Sequence, residues 1–374
     1  LKYKRKKTRQ IIIGKIKIGG NAPITIQSMT KTKTADVLAT VNQIRELEEA
    51  GCEIIRVAVP DMEAASAIRE IKRQIRIPLV ADIHFDYHLA LKAMEAGADK
   101  IRINPGNIGS VDRIRQVLNE AKTREIPIRI GVNSGSLEKD ILKKYGEICA
   151  SALVESALRH VEICQDFGFD NLVISIKASD VKLMIESYRL ISGKVDFPLH
   201  LGVTEAGTYQ IASIKSAVGI GTLLAEGIGD TLRVSITGNP MAEVRTGYSI
   251  LNALGLRSSG ITIISCPTCG RTEVNLVEIT KAVEERISMV NKHLKVAIMG
   301  CTVNGPGEAR DADIGVACGK KSALLFKKGQ VIRKLQEDEI IETLVKEVYN
   351  WDENSNNRNG KSVFQDEIPK LNIE

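Results

Sequence analysis

The chain contains no run of about 18 or more apolar residues, which excludes an ordinary membrane-spanning helix. Its first ten residues, LKYKRKKTRQ, lack the apolar stretch of a secretion signal, so a cytoplasmic protein with no membrane partner is expected. The same ten residues contain no acid. They hold Lys2, Lys4, Arg5, Lys6, Lys7 and Arg9, and these six charges equal the whole formal net charge of +6. The remaining chain is therefore balanced. A nucleic-acid binder carries its basic surface on the folded body, so no nucleic-acid partner is expected. The arm itself reads as a solvated terminal block. Cysteine is sparse and odd in number, at seven, and its spacing is not that of a secreted disulfide framework. Cys52, Cys149 and Cys164 are scattered in apolar or helical surroundings and read as small buried hydrophobes. The other four fall between positions 266 and 318, so the two parts of the chain differ.

What is present is a rhythm. With 374 residues the chain is too long for one ordinary core. From Asn21 to about Arg257, short apolar strands alternate with longer amphipathic helices. The strands are Ile24–Met29, Glu53–Val59, Pro78–Ile83, Lys100–Ile103, Pro127–Val132, Leu172–Ile176, Leu199–Val203 and Thr231–Ile236. Helical patterns between them include Val37–Ala50, His88–Ala96, Ser110–Lys122 and Tyr209–Glu226, several of them stopped by glycine. Such alternation requires parallel strands with right-handed crossovers. Eight units predict a closed (β/α)8 TIM barrel rather than an open doubly wound sheet, because no glycine-rich dinucleotide loop follows the first strand. Residues 11–20 read as a hairpin that plugs the bottom of the barrel.

The texture changes after Gly260. Strands are expected at Ile261–Ser265, Val296–Met299, Asp313–Val316, Ala323–Phe326 and Gln330–Lys334, with helices at Val274–Asn291 and Glu337–Asn350. The domains expected are 1–258, a substrate-binding barrel, and 259–350, a small α/β domain. A tail at 351–374 is expected to be loosely ordered.

Five barrel strands carry a cation: Arg56, Arg102, Arg129, Lys177 and Arg233. An unpaired charge cannot face the apolar helix layer, so these side chains should point inward, toward the C-terminal mouth. Converging cations demand an anion, and arginine's planar fork favours phosphate. Asn104, Asn107, Asn133 and Asn239 follow the same strand ends as neutral donors, and Ser235 lies beside Arg233 in TLRVSITGN. The acids of this region are Asp82 and Glu205, with His84 near the first. A phosphorylated or diphosphorylated small molecule is the ligand expected.

Cys266-Pro267-Thr268-Cys269 is a CxxC after a strand, and Cys301 follows a later strand end. Thiolates so spaced reach one soft metal centre, and an iron–sulfur cluster, zinc and a redox dithiol all fit that spacing. No histidine lies near the motif, which disfavours a closed zinc site. The fourth ligand is open between Cys318, beyond a separate strand, and Glu308, seven residues past Cys301.

The segments KTRQ, GNAPITIQSMT, ADIHFDYHLA, KIRINPGNIG, IRIGVNSGSL, LGVTEAG, LRVSITGNP, SCPTCGR and CTVNGPGEARDADIGVA together resemble the bacterial 4-hydroxy-3-methylbut-2-enyl diphosphate synthase family. The resemblance runs in order to about residue 350. It implies a TIM barrel followed by a [4Fe-4S] domain akin to the sulfite-reductase repeat, with Cys266, Cys269, Cys301 and Glu308 as cluster ligands. It implies that Arg56, Arg102, Arg129 and Lys177 grip a substrate diphosphate and that Glu205 lies near the reacting carbons. Glu205 is the candidate catalytic acid/base, as the one carboxylate in a motif at the mouth among cations. It further implies flavodoxin or ferredoxin as electron donor and a head-to-tail homodimer. Two rivals remain open from the residues alone: a barrel lyase with a structural zinc domain, and a cluster-bearing regulator that binds nucleic acid through its basic arm.

Overall fold

A computed structural model of the chain describes residues 4–103, 108, 110–257, 260–287, 290, 292–301 and 312–351. The chain divides into two compact units, Leu1–Ser258 and Ser259–Glu374. The expected loose tail lies outside the described residues except for Trp351.

The first unit opens with a hairpin, β1 (Ile11–Ile13) and β2 (Ile16–Ile18). Eight parallel strands follow: β3 (Thr25–Met29), β4 (Ile54–Ala58), β5 (Leu79–Asp82), β6 (Lys100–Ile103), β7 (Ile128–Asn133), β8 (Leu172–Lys177), β9 (His200–Leu201) and β10 (Thr231–Leu232). They pair in sequence order, β10 returns to β3, and a bridge between Ile174 and Leu199 joins β8 to the chain entering β9, so the sheet closes. Alternate residues face outward. Ile55, Val57, Leu79, Ala81, Ile101, Ile103, Ile128 and Ile130 pack against the surrounding helices in one continuous core. Helices such as Val37–Glu49 and Tyr87–Glu95 end at Gly51 and Gly97, which take φ values of +95° and +99° that glycine adopts without strain.

The last two strands are shorter than the sequence predicts. The Arg233 amide still bonds Leu201 O at 2.9 Å, but beyond it the chain leaves the ladder, and the Ile236 amide donates to Glu243 Oε1 at 3.1 Å instead. A side-chain carboxylate has replaced a strand partner. At the opposite end, Ile11, Ile13 and Ile18 of the hairpin pack on Ile54, Val80 and Val173 from the barrel interior, closing its floor with apolar contact. Each such buried isoleucine contributes roughly 2–3 kcal/mol.

The basic arm is fastened to the barrel rather than free, which corrects part of the sequence reading: Arg5 and Lys6 are half-buried and Thr8 is buried, while Lys4, Lys7 and Arg9 stay exposed. Arg5 Nη2 and Thr8 Oγ1 both donate to Asp230 Oδ1, at 2.9 and 3.0 Å. Arg9 Nε donates to Asp196 Oδ2 at 2.8 Å, and its guanidinium lies 4.5 Å from the Phe197 ring centroid. The Lys6 amide bonds Gly227 O at 2.9 Å. Local acids placed before β9 and β10 pair with Arg5 and Arg9 and fasten the arm as a strap beside the two shortest strands.

The second unit is a five-stranded sheet in the order β11 (Ile261–Ser265), β12 (Leu294–Met299), β13 (Ile314–Gly319), β14 (Ser322–Lys327) and β15 (Gln330–Gln336). The first three strands are parallel and the last two antiparallel. Helices Leu276–Ile287 and Ile340–Tyr349 cover one face over Val296, Ile298, Val316 and Leu325. Both helices are shorter than expected. Asn275 starts the first, its Oδ1 accepting from the Glu278 amide at 3.4 Å. A 3-10 turn at Glu337–Glu339, held by reciprocal Gln336 and Glu339 bonds, precedes the second.

Asp230 is the knot of the strap, since its second oxygen accepts from the buried Leu199 amide at 3.0 Å. Asp230→Ala should lower unfolding free energy by about 2–4 kcal/mol in urea titration, because Arg5, Thr8 and Leu199 all lose their partner. A loss below about 1 kcal/mol would show that the strap carries no stability.

Candidate functional site

The inward faces of the barrel strands hold an unusual set of side chains. Arg56, Lys100, Arg102, Arg129 and Lys177 are all buried, and Arg233 is nearly so, its side chain 14% exposed. The strand register explains the convergence. Asp82 pairs with Arg102, Arg102 with Arg129, and Asn133 with Lys177, so the charged positions rise together from strand to strand.

Among the described residues, two carboxylates pair with members of this set. Asp82 Oδ1 accepts from Arg102 Nη1 at 3.2 Å, and its Oδ2 stands 3.8 Å from Arg56 Nε and 3.3 Å from His84 Nε2. Burial works against the Asp82 carboxylate. Arg56, His84 and Arg102 outweigh it and hold the carboxyl well below the usual range. Glu243, 1% exposed on the helix Pro240–Ala253, accepts from Ser28 Oγ at 3.0 Å and lies 3.5 Å from Arg233 Nε. Burial pulls the Arg56 guanidinium down to about 10, which leaves it charged at neutral pH. Arg56 also donates to Met29 Sδ from Nε and Nη2, at 3.1 and 2.9 Å.

The balance of charge is therefore positive and enclosed. Among the described residues, Lys100 Nζ and Arg129 Nε and Nη1 are buried without a hydrogen-bond partner. Burial, and after it Arg129 and Arg56, push the Lys100 ammonium well below its ordinary value. Burial, followed by the surrounding arginines, does the same to Lys177. His200 on β9 is also held neutral, by burial first and then Arg129, Lys177 and Lys100. An unpaired buried charge costs several kcal/mol, so this interior is built for an anion that supplies the missing counter-charge.

Two glycines make room for the cations. A Cβ on Gly131 would stand 2.5 Å from Arg102 Nε, and one on Gly202 would stand 2.7 Å from Arg233 O and 3.1 Å from Lys177 Nζ. Arg102 Nη2 donates to Gly131 O at 3.3 Å. Asn133, with its amide turned to satisfy both groups, accepts from Arg102 Nη2 at 3.2 Å.

Of the residues singled out in sequence, Arg56, Arg102, Arg129, Lys177, Arg233 and Asn133 come together here. Ser235 is half-buried two residues beyond Arg233. Glu205 is exposed on the loop after β9, its backbone at φ +52°, and the carboxylates paired with the cations are Asp82 and Glu243. A non-glycine residue in that left-handed region carries roughly 1–2 kcal/mol of strain. Asn239 caps the helix Pro240–Ala253, its Oδ1 accepting from the Met241 amide at 2.9 Å. Asn104, Asn107 and Glu308 lie outside the described residues. Sequence reasoning passed over Lys100, His200, Gly131, Gly202 and Glu243. Lys100 stands two residues before Arg102 on one strand, and that alternation was the available signal.

In the second unit Cys266 follows β11 and Cys301 lies two residues past the end of β12, its parallel neighbour. The Gly300 amide donates to Cys266 Sγ at 3.2 Å. The Cys269 amide donates to Thr272 Oγ1 at 3.1 Å, which shapes the CxxC turn. All three thiols are free of disulfides. A peptide N–H aimed at sulfur and soft donors at two adjacent strand ends fit a thiolate-held metal group. Among the described residues no three Cys, His, Asp or Glu side chains are grouped closely enough to hold a single ion. Cys318 sits differently from these three. It is buried in the sheet core on β13, and burial pushes its thiol up to about 12.

Residues 8–248 match the family model of the GcpE TIM-barrel domain, and residues 262–350 match that of the GcpE protein C-terminal domain. The chain belongs to the GcpE family. Within it, the chain is 61% identical over 346 residues to the Clostridium tetani protein named 4-hydroxy-3-methylbut-2-en-1-yl diphosphate synthase (flavodoxin), covering 92% of this chain and 99% of that one. Proteins of the same name from Caldanaerobacter subterraneus subsp. tengcongensis and Geobacter sulfurreducens are 60% and 55% identical, covering 92% and 91% of this chain and 97% of each of theirs.

The lowered lysines of this GcpE barrel set the sign of its pH dependence. The unfolded chain binds more protons than the fold wherever a folded lysine value lies below its ordinary 10.5, so stability rises with pH there. Cys52, Cys164 and Cys318 act oppositely, because burial raises each from 9.0 to about 12 and stability is lost above the lower value. The urea midpoint of the ligand-free protein should climb with pH on the alkaline side up to about 9 and fall beyond it. Lys100→Met should raise the midpoint at neutral pH and flatten the climb, and a lowered midpoint would show that Lys100 is already compensated.

Proposed function

We propose that this GcpE-family chain catalyses the reductive opening of 2-C-methyl-D-erythritol 2,4-cyclodiphosphate to (E)-4-hydroxy-3-methylbut-2-enyl diphosphate, in the non-mevalonate route to isoprenoids. The observation that carries the reading is the enclosed surplus of six cations over two carboxylates inside the barrel. Counted as neutral acids, the reaction takes two electrons and two protons and releases one water. The diphosphate stays on the product, so the protein must hold it throughout while one carbon–oxygen bond to it breaks.

Arg102 and Arg129 present guanidinium forks to the diphosphate, and Arg56, Lys177 and Arg233 add charge around it. Asp82 fixes Arg56 and Arg102, and Glu243 fixes Arg233, so the donors stand ready before the anion arrives. As the ring opens, negative charge grows on the departing diphosphate oxygen, where these cations are strongest in effect. Asn104, Asn133 and Ser235 are assigned the neutral contacts to the substrate. Glu205, which the family resemblance sets near the reacting carbons, is assigned the proton transfer from a loop held at a strained backbone angle.

Cys266, Cys269 and Cys301, with Glu308 as the fourth ligand, are assigned to a [4Fe-4S] cluster. Such a cluster supplies single-electron transfer and, at an iron bound by oxygen rather than sulfur, Lewis acidity. The Gly300 N–H at Cys266 stabilises a thiolate in that role. Electrons are taken to come from flavodoxin, with ferredoxin as the alternative donor. The working form is taken to be a head-to-tail homodimer in the cytoplasm. Among the described residues no helix is long and apolar enough to cross a membrane.

Anaerobic reconstitution with iron and sulfide should give a thiolate-to-iron absorption band that shifts on adding the cyclodiphosphate. Protein that takes up zinc but neither iron nor sulfide would contradict the assignment. Glu205→Gln should retain the band and lower turnover by at least about 100-fold. Near-normal turnover would remove Glu205 from the chemistry.

A further inference from the structure

The second unit carries a run of charge that neither the ligand thiols nor the barrel explains. Between Ile314 and Gln336 there is no acid, yet the stretch holds Lys320, Lys321, Lys327, Lys328, Arg333 and Lys334. Lys320 and Lys321 form the two-residue turn between β13 and β14, and both are exposed. Arg333 and Lys334 are exposed on β15, an edge strand.

Register fixes where these charges stand. β11, β12 and β13 run parallel, with Ser265 opposite Ile298 and Met299 opposite Ala317. Cys266, Cys301 and the Lys320–Lys321 turn therefore lie at the same end of the sheet. Gly319 pairs with Ser322 and Ser322 with Gln336, and Leu324 pairs with Lys334, which brings Lys334 toward that end as well. The opposite end holds Lys327, paired with Glu347 at 2.5 Å, so it is already neutralised. Among the described residues no carboxylate pairs with Lys320, Lys321 or Lys334. The first acids beyond the run are Glu337, Asp338 and Glu339, and Glu339 Oε2 is turned back onto the Gln336 amide at 2.8 Å.

The edge also exposes apolar surface. Val331 is 59% exposed and Ile332 51%, where the pairing of β14 with β15 shifts register. An edge strand protected by lysine and a bulge is ordinary negative protection against aggregation. That accounts for charge along the edge. It does not account for the unpaired turn lysines at the end of the sheet where the ligand thiols stand.

We propose that Lys320, Lys321 and Lys334, flanked by Arg333 and the exposed Val331 and Ile332, form the docking face for an acidic electron carrier of the flavodoxin class. The inference rests on the proposed function, which requires such a donor. Opposite charge steers the encounter and sets orientation, and a small apolar patch completes a weak, transient contact. The position beside the thiol-bearing strand ends keeps the electron path short. Each visit passes one electron, the flavin going from hydroquinone to semiquinone, so one turnover takes two visits.

The test compares two donors on reconstituted full-length enzyme, reduced flavodoxin and reduced methyl viologen. The variant is Lys320→Gln/Lys321→Gly/Lys334→Gln. Lys321 has φ +53°, which glycine takes without strain, so the turn is kept. The variant should raise the KM for flavodoxin about ten-fold at low ionic strength and flatten its salt dependence. Viologen-driven turnover and the KM for the cyclodiphosphate should stay within about two-fold of native. An unchanged flavodoxin KM overturns the docking face. Equal loss with both donors overturns it too, because the lysines would then serve the chemistry. A change in molecular mass in solution would assign the face to a second copy of this chain. Native protein that turns over with neither donor removes the enzyme reading itself, and the docking face with it.

Discussion

Positive charge enclosed without its counter-charge is the constraint on which the barrel depends. Arg56, Lys100, Arg102, Arg129, Lys177 and Arg233 share one interior with Asp82 and Glu243. Packing alone does not account for this, since a layered barrel core is ordinarily aliphatic. The surrounding structure compensates. Outward isoleucines and valines pack a continuous core against the helices, the apolar hairpin closes the floor, and the N-terminal strap fastens the chain beside its two shortest strands. Stability is invested around the site because the site itself works against it.

The two carboxylates serve order more than neutrality. Asp82 reaches Arg56, Arg102 and His84, and Glu243 holds Arg233, Ser28 and the Ile236 amide together. Preorganised donors need no rearrangement when an anion enters, which is where enclosed electrostatics gains over water. Gly131 and Gly202 belong to the same design, because each leaves the space that a neighbouring cation fills.

Much of this was legible in the sequence. A cation in a strand otherwise apolar has one affordable direction, so Arg56, Arg102, Arg129, Lys177 and Arg233 could be placed inside from pattern alone. Lys100 was missed because it opens its strand, and only counting back two residues from Arg102 reveals it. Glu243 was not legible at all, since it comes from a helix and reaches the cations through tertiary packing. The arm was only half legible for the opposite reason. Lys4 and Lys7 are exposed as a basic block should be, but the fold brings Asp230 to Arg5 and Asp196 to Arg9. In the second unit the CxxC and Cys301 were evident by spacing, and the strand register then accounted for Cys266 and Cys301 standing at neighbouring strand ends. Cys318 looked like a fourth ligand by residue type, and the fold places it within a strand in the sheet core rather than at a strand end.

The barrel interior awaits an anion. Lys100, Lys177 and His200 are held below their ordinary values by burial and by one another. A bound diphosphate should restore their affinity for protons. Calorimetric titration of the cyclodiphosphate in buffers of differing ionisation enthalpy measures this directly, because the cyclic diphosphate has no group that titrates near neutrality. Net proton uptake on binding, at a pH below the ordinary lysine value of 10.5, is the result predicted. Binding with no uptake anywhere between neutrality and that value, or with release, would contradict an interior that awaits an anion.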